Sequence, residues 1–82
     1  MIQVSVHFYS YFKDLAGCAQ TTFEVPEDSS LNDLLRDVVM RFPKWKAMQH
    51  ATLIAVGVEY QGRDYVLKSG DEVSLFPPVQ GG

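Results

Sequence analysis

What is scarce in this chain of 82 residues narrows its function before any motif is considered. There is one cysteine, Cys18, so no intramolecular disulfide can form and the sequence fits a reducing compartment. Lys and Arg number seven against ten Asp and Glu, for a net charge of -3. A nucleic-acid partner requires clustered cations to neutralise phosphates, and Lys44 with Lys46 is the nearest approach to a cluster, so none is expected. The opening Met1-Ile2-Gln3-Val4 has no basic run followed by a sustained apolar stretch, and no segment is apolar enough to span a bilayer. A cytoplasmic protein without membrane contact is the expectation. His7 and His50 are far apart and lack ligand spacing, which argues against a metal site. Cys18 follows Gly17 with no histidine beside it in sequence, so a non-catalytic thiol is the expected reading over a persulfide or thioester site.

What is present is a chain of 46% hydrophobic and 21% charged residues, ordinary for one small globular domain. Ile2, Val4, Val6 and Phe8 alternate with Gln3, Ser5 and His7, the period of a strand with one buried face. Residues 10–16 suit a single helical turn ended by Gly17. Thr21, Phe23 and Val25, stopped by Pro26, read as a second strand. Ser30 offers an N-cap with Asp33 three residues on, and Leu31, Leu34, Leu35, Val38, Val39 and Phe42 recur at helical spacing until Pro43. Leu53–Val58 is a nearly continuous apolar run and reads as a strand covered on both faces. Gln61–Asp64 is then a turn, Tyr65–Leu67 a short strand, Lys68–Asp71 a second turn and Glu72–Phe76 the last strand.

One amphipathic helix and four or five short strands require two layers, a mixed sheet with the helix across one face: an α+β domain over residues 1–76. The remaining residues, 77–82, read as a flexible tail. Pro77 and Pro78 remove two main-chain donors and fix two φ angles, so the sheet cannot continue through them. Six extended residues reach roughly 20 Å, at ~3.3 Å each, enough to carry a terminal carboxylate into another protein. Gly81 and Gly82 have no Cβ, which lets the backbone enter a narrow channel. A terminal Gly-Gly occurs by chance in ~0.5% of chains, glycine being ~7% of residues, so on its own it is compatible with an incidental end. A free carboxylate is ionised at neutral pH and is a poor electrophile, so any chemistry at Gly82 requires prior activation.

Gly70-Asp71-Glu72-Val73, then Phe76-Pro77-Pro78-Val79 and terminal Gly81-Gly82, resemble the molybdopterin synthase small-subunit family. Tyr9-Ser10-Tyr11-Phe12-Lys13-Asp14-Leu15-Ala16-Gly17 is similar to that family's N-terminal stretch. Two departures are Gly57-Val58, where many members have Asn-Gly, and Lys13, where arginine is common. The resemblance implies a ubiquitin-like β-grasp fold with the first and last strands paired at the centre of the sheet. It also implies a function. An ATP-dependent activating enzyme would adenylate the Gly82 carboxylate, a sulfur donor protein would convert it to a thiocarboxylate, and the synthase large subunit would receive the tail. Sulfur would pass to cyclic pyranopterin monophosphate in molybdenum cofactor biosynthesis. The chain would then be a rechargeable cosubstrate, non-catalytic alone and holding no bound cofactor, with ATP used by the activating enzyme.

On this reading the carrier site is Gly82 with Gly81, and the partner-binding segment is Phe76, Pro77, Pro78, Val79 and Gln80. Tyr9, Tyr11, Phe12 and Phe76 are candidates for a docking surface at the tail's base, with core burial as the alternative. Asp14, Asp71 and Glu72 are read as solvated or turn residues and not as acids or bases. Other uses of the same Gly-Gly end are sulfur delivery for thiamine or tRNA thiolation and ubiquitin-like conjugation. A β-grasp binding module without activation chemistry is a further alternative.

Overall fold

In a computed structural model, residues 1–78 are described. They form β1 (Ile2–Phe8), α1 (Phe12–Ala16), β2 (Gln20–Val25), α2 (Leu31–Arg41), a 3-10 helix (Pro43–Ala51), β3 (Leu53–Val56), β4 (Glu59–Tyr60) and β5 (Glu72–Phe76). The five strands make one mixed sheet in the order β2-β1-β5-β3-β4. First and last strands are parallel neighbours, with Ser5 opposite Glu72 and Phe8 opposite Leu75. On its other side β5 pairs antiparallel with β3, Leu53 opposite Phe76. This is the β-grasp arrangement that the resemblance implies, and it makes the strand leading to the C-terminus the middle one.

The alternation in β1 resolves as expected: Val4, Val6 and Phe8 are buried, and Gln3, Ser5 and His7 lie on the other face. They join Phe23, Val25, Ile54, Val73 and Leu75 in one core with Leu31, Leu34, Leu35 and Val38 of α2. The first turn of α2 is closed by a full capping box. Ser30 Oγ accepts from the Asp33 N–H at 3.2 Å and Asp33 Oδ2 accepts from the Ser30 N–H at 3.0 Å. The Ser30 N–H is the largest influence holding the Asp33 carboxyl below the usual aspartate range. Pro43 ends the helix as its position predicts, and it begins the next one.

Three expectations are corrected. The apolar run beginning at Leu53 ends as a strand at Val56, because Gly57 takes φ +63° and turns the chain back so that Glu59 faces Val56. Val58, at the tip of that turn, is 98% exposed, and Leu53 is partly exposed as well, so neither is covered on both faces. Tyr65–Leu67 is not a strand: a single bridge joins Val66 to Ser30. Main-chain carbonyls of the loop from Arg63 to Tyr65 have another use. The Leu31 N–H donates to Tyr65 O and the Asn32 N–H to Arg63 O, which supplies two of the acceptors that the start of a helix lacks. Finally, the 3-10 helix is absent from the sequence reading. It carries no helical stripe, and its one fully buried side chain, Trp45, packs edge-on against Phe12 at 6.0 Å.

Candidate functional site

β5 delivers the chain to Pro77 from the middle of the sheet, and the surface around that exit is aromatic. Phe76, the last residue of β5, is half-buried on the face away from α2. The Tyr9 ring stacks on it with centroids 4.6 Å apart and planes 14° from parallel, and Tyr60 meets it at 6.4 Å and 62°. The Tyr9 N–H donates to Leu75 O at 3.2 Å, which extends the β1–β5 ladder by one residue and fixes the ring's place. Leu53 stands beside Phe76 as its cross-strand partner. Tyr9 is 42% exposed and Tyr60 72%, so the patch is open to a partner. Pro77 and Pro78 continue from it half-buried.

Of the expected docking residues, the structure therefore groups Tyr9, Phe76, Pro77 and Pro78. Phe12 is excluded: it is fully buried against Trp45, and Tyr11 covers its edge at 5.4 Å while remaining exposed itself. Tyr60 and Leu53 belong to the patch although sequence did not single them out. Tyr60 reaches it through the β3–β4 turn, which places it opposite Ala55. No local signal in Glu59-Tyr60 carries that information. The calls on Val79, Gln80, Gly81 and Gly82 lie outside the described residues.

Of the acidic residues near β5, Asp71 is structural. Asp71 Oδ2 accepts from Tyr65 Oη at 3.0 Å and from the Lys68 N–H at 2.9 Å, closing the turn that starts β5. Burial, then that hydrogen bond and the charge of Asp71, raise the Tyr65 hydroxyl above its ordinary pKa. Asp14 and Glu72 are exposed. Cys18 is half-buried and packs against the core. Among the described residues, no group of three His, Cys, Asp or Glu side chains could hold a metal ion. Two surface hollows, of about 470 and 400 Å³, lie along α2 and are lined by residues between Phe23 and Arg41, not by the end of β5. What the geometry around the exit offers is an open aromatic patch on the sheet face away from α2.

The model of the ThiS family matches residues 6–82. The molybdopterin synthase sulfur carrier subunit of Chlamydomonas reinhardtii is 30% identical over 84 residues, covering 99% of this chain and all of that one. Among solved structures, a putative molybdopterin converting factor subunit 1 from Pyrococcus furiosus superposes with a TM-score of 0.89 at 32% identity. It covers 96% of this chain and all of that one. A small archaeal modifier protein from Haloferax volcanii gives the same TM-score and the same coverage at 20% identity, a likeness of fold. By the extent of the family match and the full-length likeness to sulfur carrier subunits, this chain belongs to the ThiS family.

Proposed function

We propose that this chain is the sulfur carrier subunit of a molybdopterin synthase, with the Gly82 carboxylate as the group that carries sulfur. The observation that carries the reading is its family membership together with the sequence Phe76-Pro77-Pro78-Val79-Gln80-Gly81-Gly82, which starts at the last residue of the central strand. The carboxylate attacks the α-phosphorus of ATP in the activating enzyme and releases pyrophosphate. The resulting acyl adenylate has a good leaving group, so the outer sulfur of a persulfide on the donor protein displaces AMP to give an acyl disulfide; a second thiol then cleaves its S–S bond, releasing the thiocarboxylate and leaving the donor sulfur in a disulfide. The thiocarboxylate sulfur attacks an electrophilic carbon of cyclic pyranopterin monophosphate and displaces the oxygen held there; water then attacks the Gly82 carbonyl, breaks its bond to sulfur and returns the carboxylate. This chain supplies no acid, base or metal to these steps; it supplies an acyl group and an address.

The large subunit of the synthase is the proposed receiver, since the relatives are named as subunits. The patch of Tyr9, Tyr60, Leu53 and Phe76 is its proposed docking surface, with Pro77 to Gln80 as the partner-binding segment that precedes Gly82 in sequence. Residues 1–76 then act as the handle and 77–82 as the probe, in the cytoplasm; among the described residues no helix is long and apolar enough to cross a membrane.

The test is the intact mass of the protein after incubation with ATP, its activating enzyme and a sulfur source. Replacement of one oxygen by sulfur, absent when Gly82 is deleted, supports the carrier. Attachment of the C-terminus to lysine amines of other proteins, with no thiocarboxylate formed, overturns it in favour of a modifier, since the fold alone does not choose the acceptor.

A further inference from the structure

β2 is one of the two outer strands of the sheet, the other being the two-residue β4, and its hydrogen-bonding phase follows from its pairing with β1. The Phe8 N–H donates to Ala19 O at 2.8 Å, and antiparallel pairs alternate between bonded and non-bonded. Val6–Thr21, Val4–Phe23 and Ile2–Val25 are therefore the bonded pairs, so the main-chain groups of Gln20, Thr22 and Glu24 point away from β1. Such an edge is a template for another strand.

The edge is occupied at its centre. Arg41, the last residue of α2, lays its guanidinium over the Phe23 ring, 4.0 Å from the centroid. From there Nη1 donates to Thr22 O at 3.2 Å and to Thr21 Oγ1 at 3.3 Å. The edge is also self-complementary. An antiparallel partner copy centred on Thr22 sets Thr22 against Thr22 and Glu24 against Gln20, a carboxylate beside an amide with no like charges opposed.

We propose that Arg41 is a latch that keeps the β2 edge from pairing with the β2 edge of a second copy of this chain. The latch works by withholding the Thr22 carbonyl, the acceptor at the middle of the would-be ladder, while the guanidinium covers Phe23.

The experiment compares the full-length wild type with Arg41→Met, which still covers Phe23 but donates no hydrogen bond, and with Arg41→Ala. Sedimentation equilibrium is run over a rising concentration series, with thermal melts confirming that each variant is folded. The expected result is a monomeric wild type and self-association about ten- to hundredfold stronger in both variants. Adding Thr22→Pro to Arg41→Met should return the monomer, because the Thr22 N–H faces outward and proline there removes no β1–β2 bond. A folded Arg41→Met that associates no more than wild type overturns the proposal. So does a wild-type dimer, or a dimer that survives Thr22→Pro, since each places association elsewhere.

Discussion

The rings of Tyr9 and Phe76 lie 4.6 Å apart and nearly parallel, joining the residue after β1 to the last residue of β5. The two strands are neighbours in the sheet and far apart in sequence, so the stack ties the end of β5 to the end of β1. A tail proposed to enter another protein has its base held by the central pair of strands.

Phe76→Ala is expected to weaken binding to the synthase large subunit by about tenfold or more, because aromatic anchors at the centre of a patch dominate interfaces. The loss of stability should be small by comparison, about 1 kcal/mol for the lost stack and partial burial. Calorimetric titration against the large subunit, with a thermal melt of the free variant, separates the two. Unchanged affinity would remove the patch from the interface.

Deleting Gly82 should abolish thiocarboxylate formation and leave the melting temperature unchanged. The core is complete by Leu75, so no buried contact among the described residues depends on the terminal glycine. Mass spectrometry reads the first effect and a melt the second. Charging of the shortened chain would contradict the assignment of the carrier site.

Trp45 is fully buried, and its indole Nε1 has no hydrogen-bond partner among the described residues. Trp45→Ala should cost about 3–5 kcal/mol. Trp45→Phe should cost less than half of that, since it keeps an aromatic ring against Phe12 and removes an unpaired donor whose desolvation alone costs about 1–3 kcal/mol. Urea unfolding of the two variants gives the comparison. Equal losses would show that the indole N–H has a partner, such as a buried water.

The capping box at Ser30 and Asp33 makes stability depend on pH in a definite direction. Asp33 is lowered in the folded state, so its contribution is fully present above the aspartate range of the unfolded chain. It is lost as pH falls through the depressed folded value, below pH 3.8. Asp33→Asn should flatten that part of the stability curve. Ser30→Ala should cost about 1 kcal/mol at neutral pH and weaken the same acid dependence. Melts between pH 2 and pH 7 test both, and an unaltered slope in Asp33→Asn would assign the acid response to other carboxylates.

Local devices were legible in the sequence because each acts within a few residues. Ser30 and Asp33 close a helix turn three residues apart, Pro43 cannot continue a helix, and the alternation from Ile2 to Phe8 needs no knowledge of the partner strands. Tyr65–Leu67 looked like a strand for the same reason, being three residues of high β-propensity. Their main-chain groups found the start of α2 instead, a choice made by proximity in space.

The order Pro77-Pro78-Val79-Gln80-Gly81-Gly82 is read from sequence alone, and so is the carboxylate chemistry proposed for it. Tertiary structure decided which aromatic residues surround the base of that tail. Phe12 and Tyr9 are three residues apart and both aromatic. One turned inward onto Trp45 and the other outward onto Phe76, because burial depends on what a neighbouring element places opposite each ring. The 3-10 helix that brings up Trp45 and the β3–β4 turn that brings up Tyr60 join residues distant in sequence, and side-chain periodicity holds no record of such pairings.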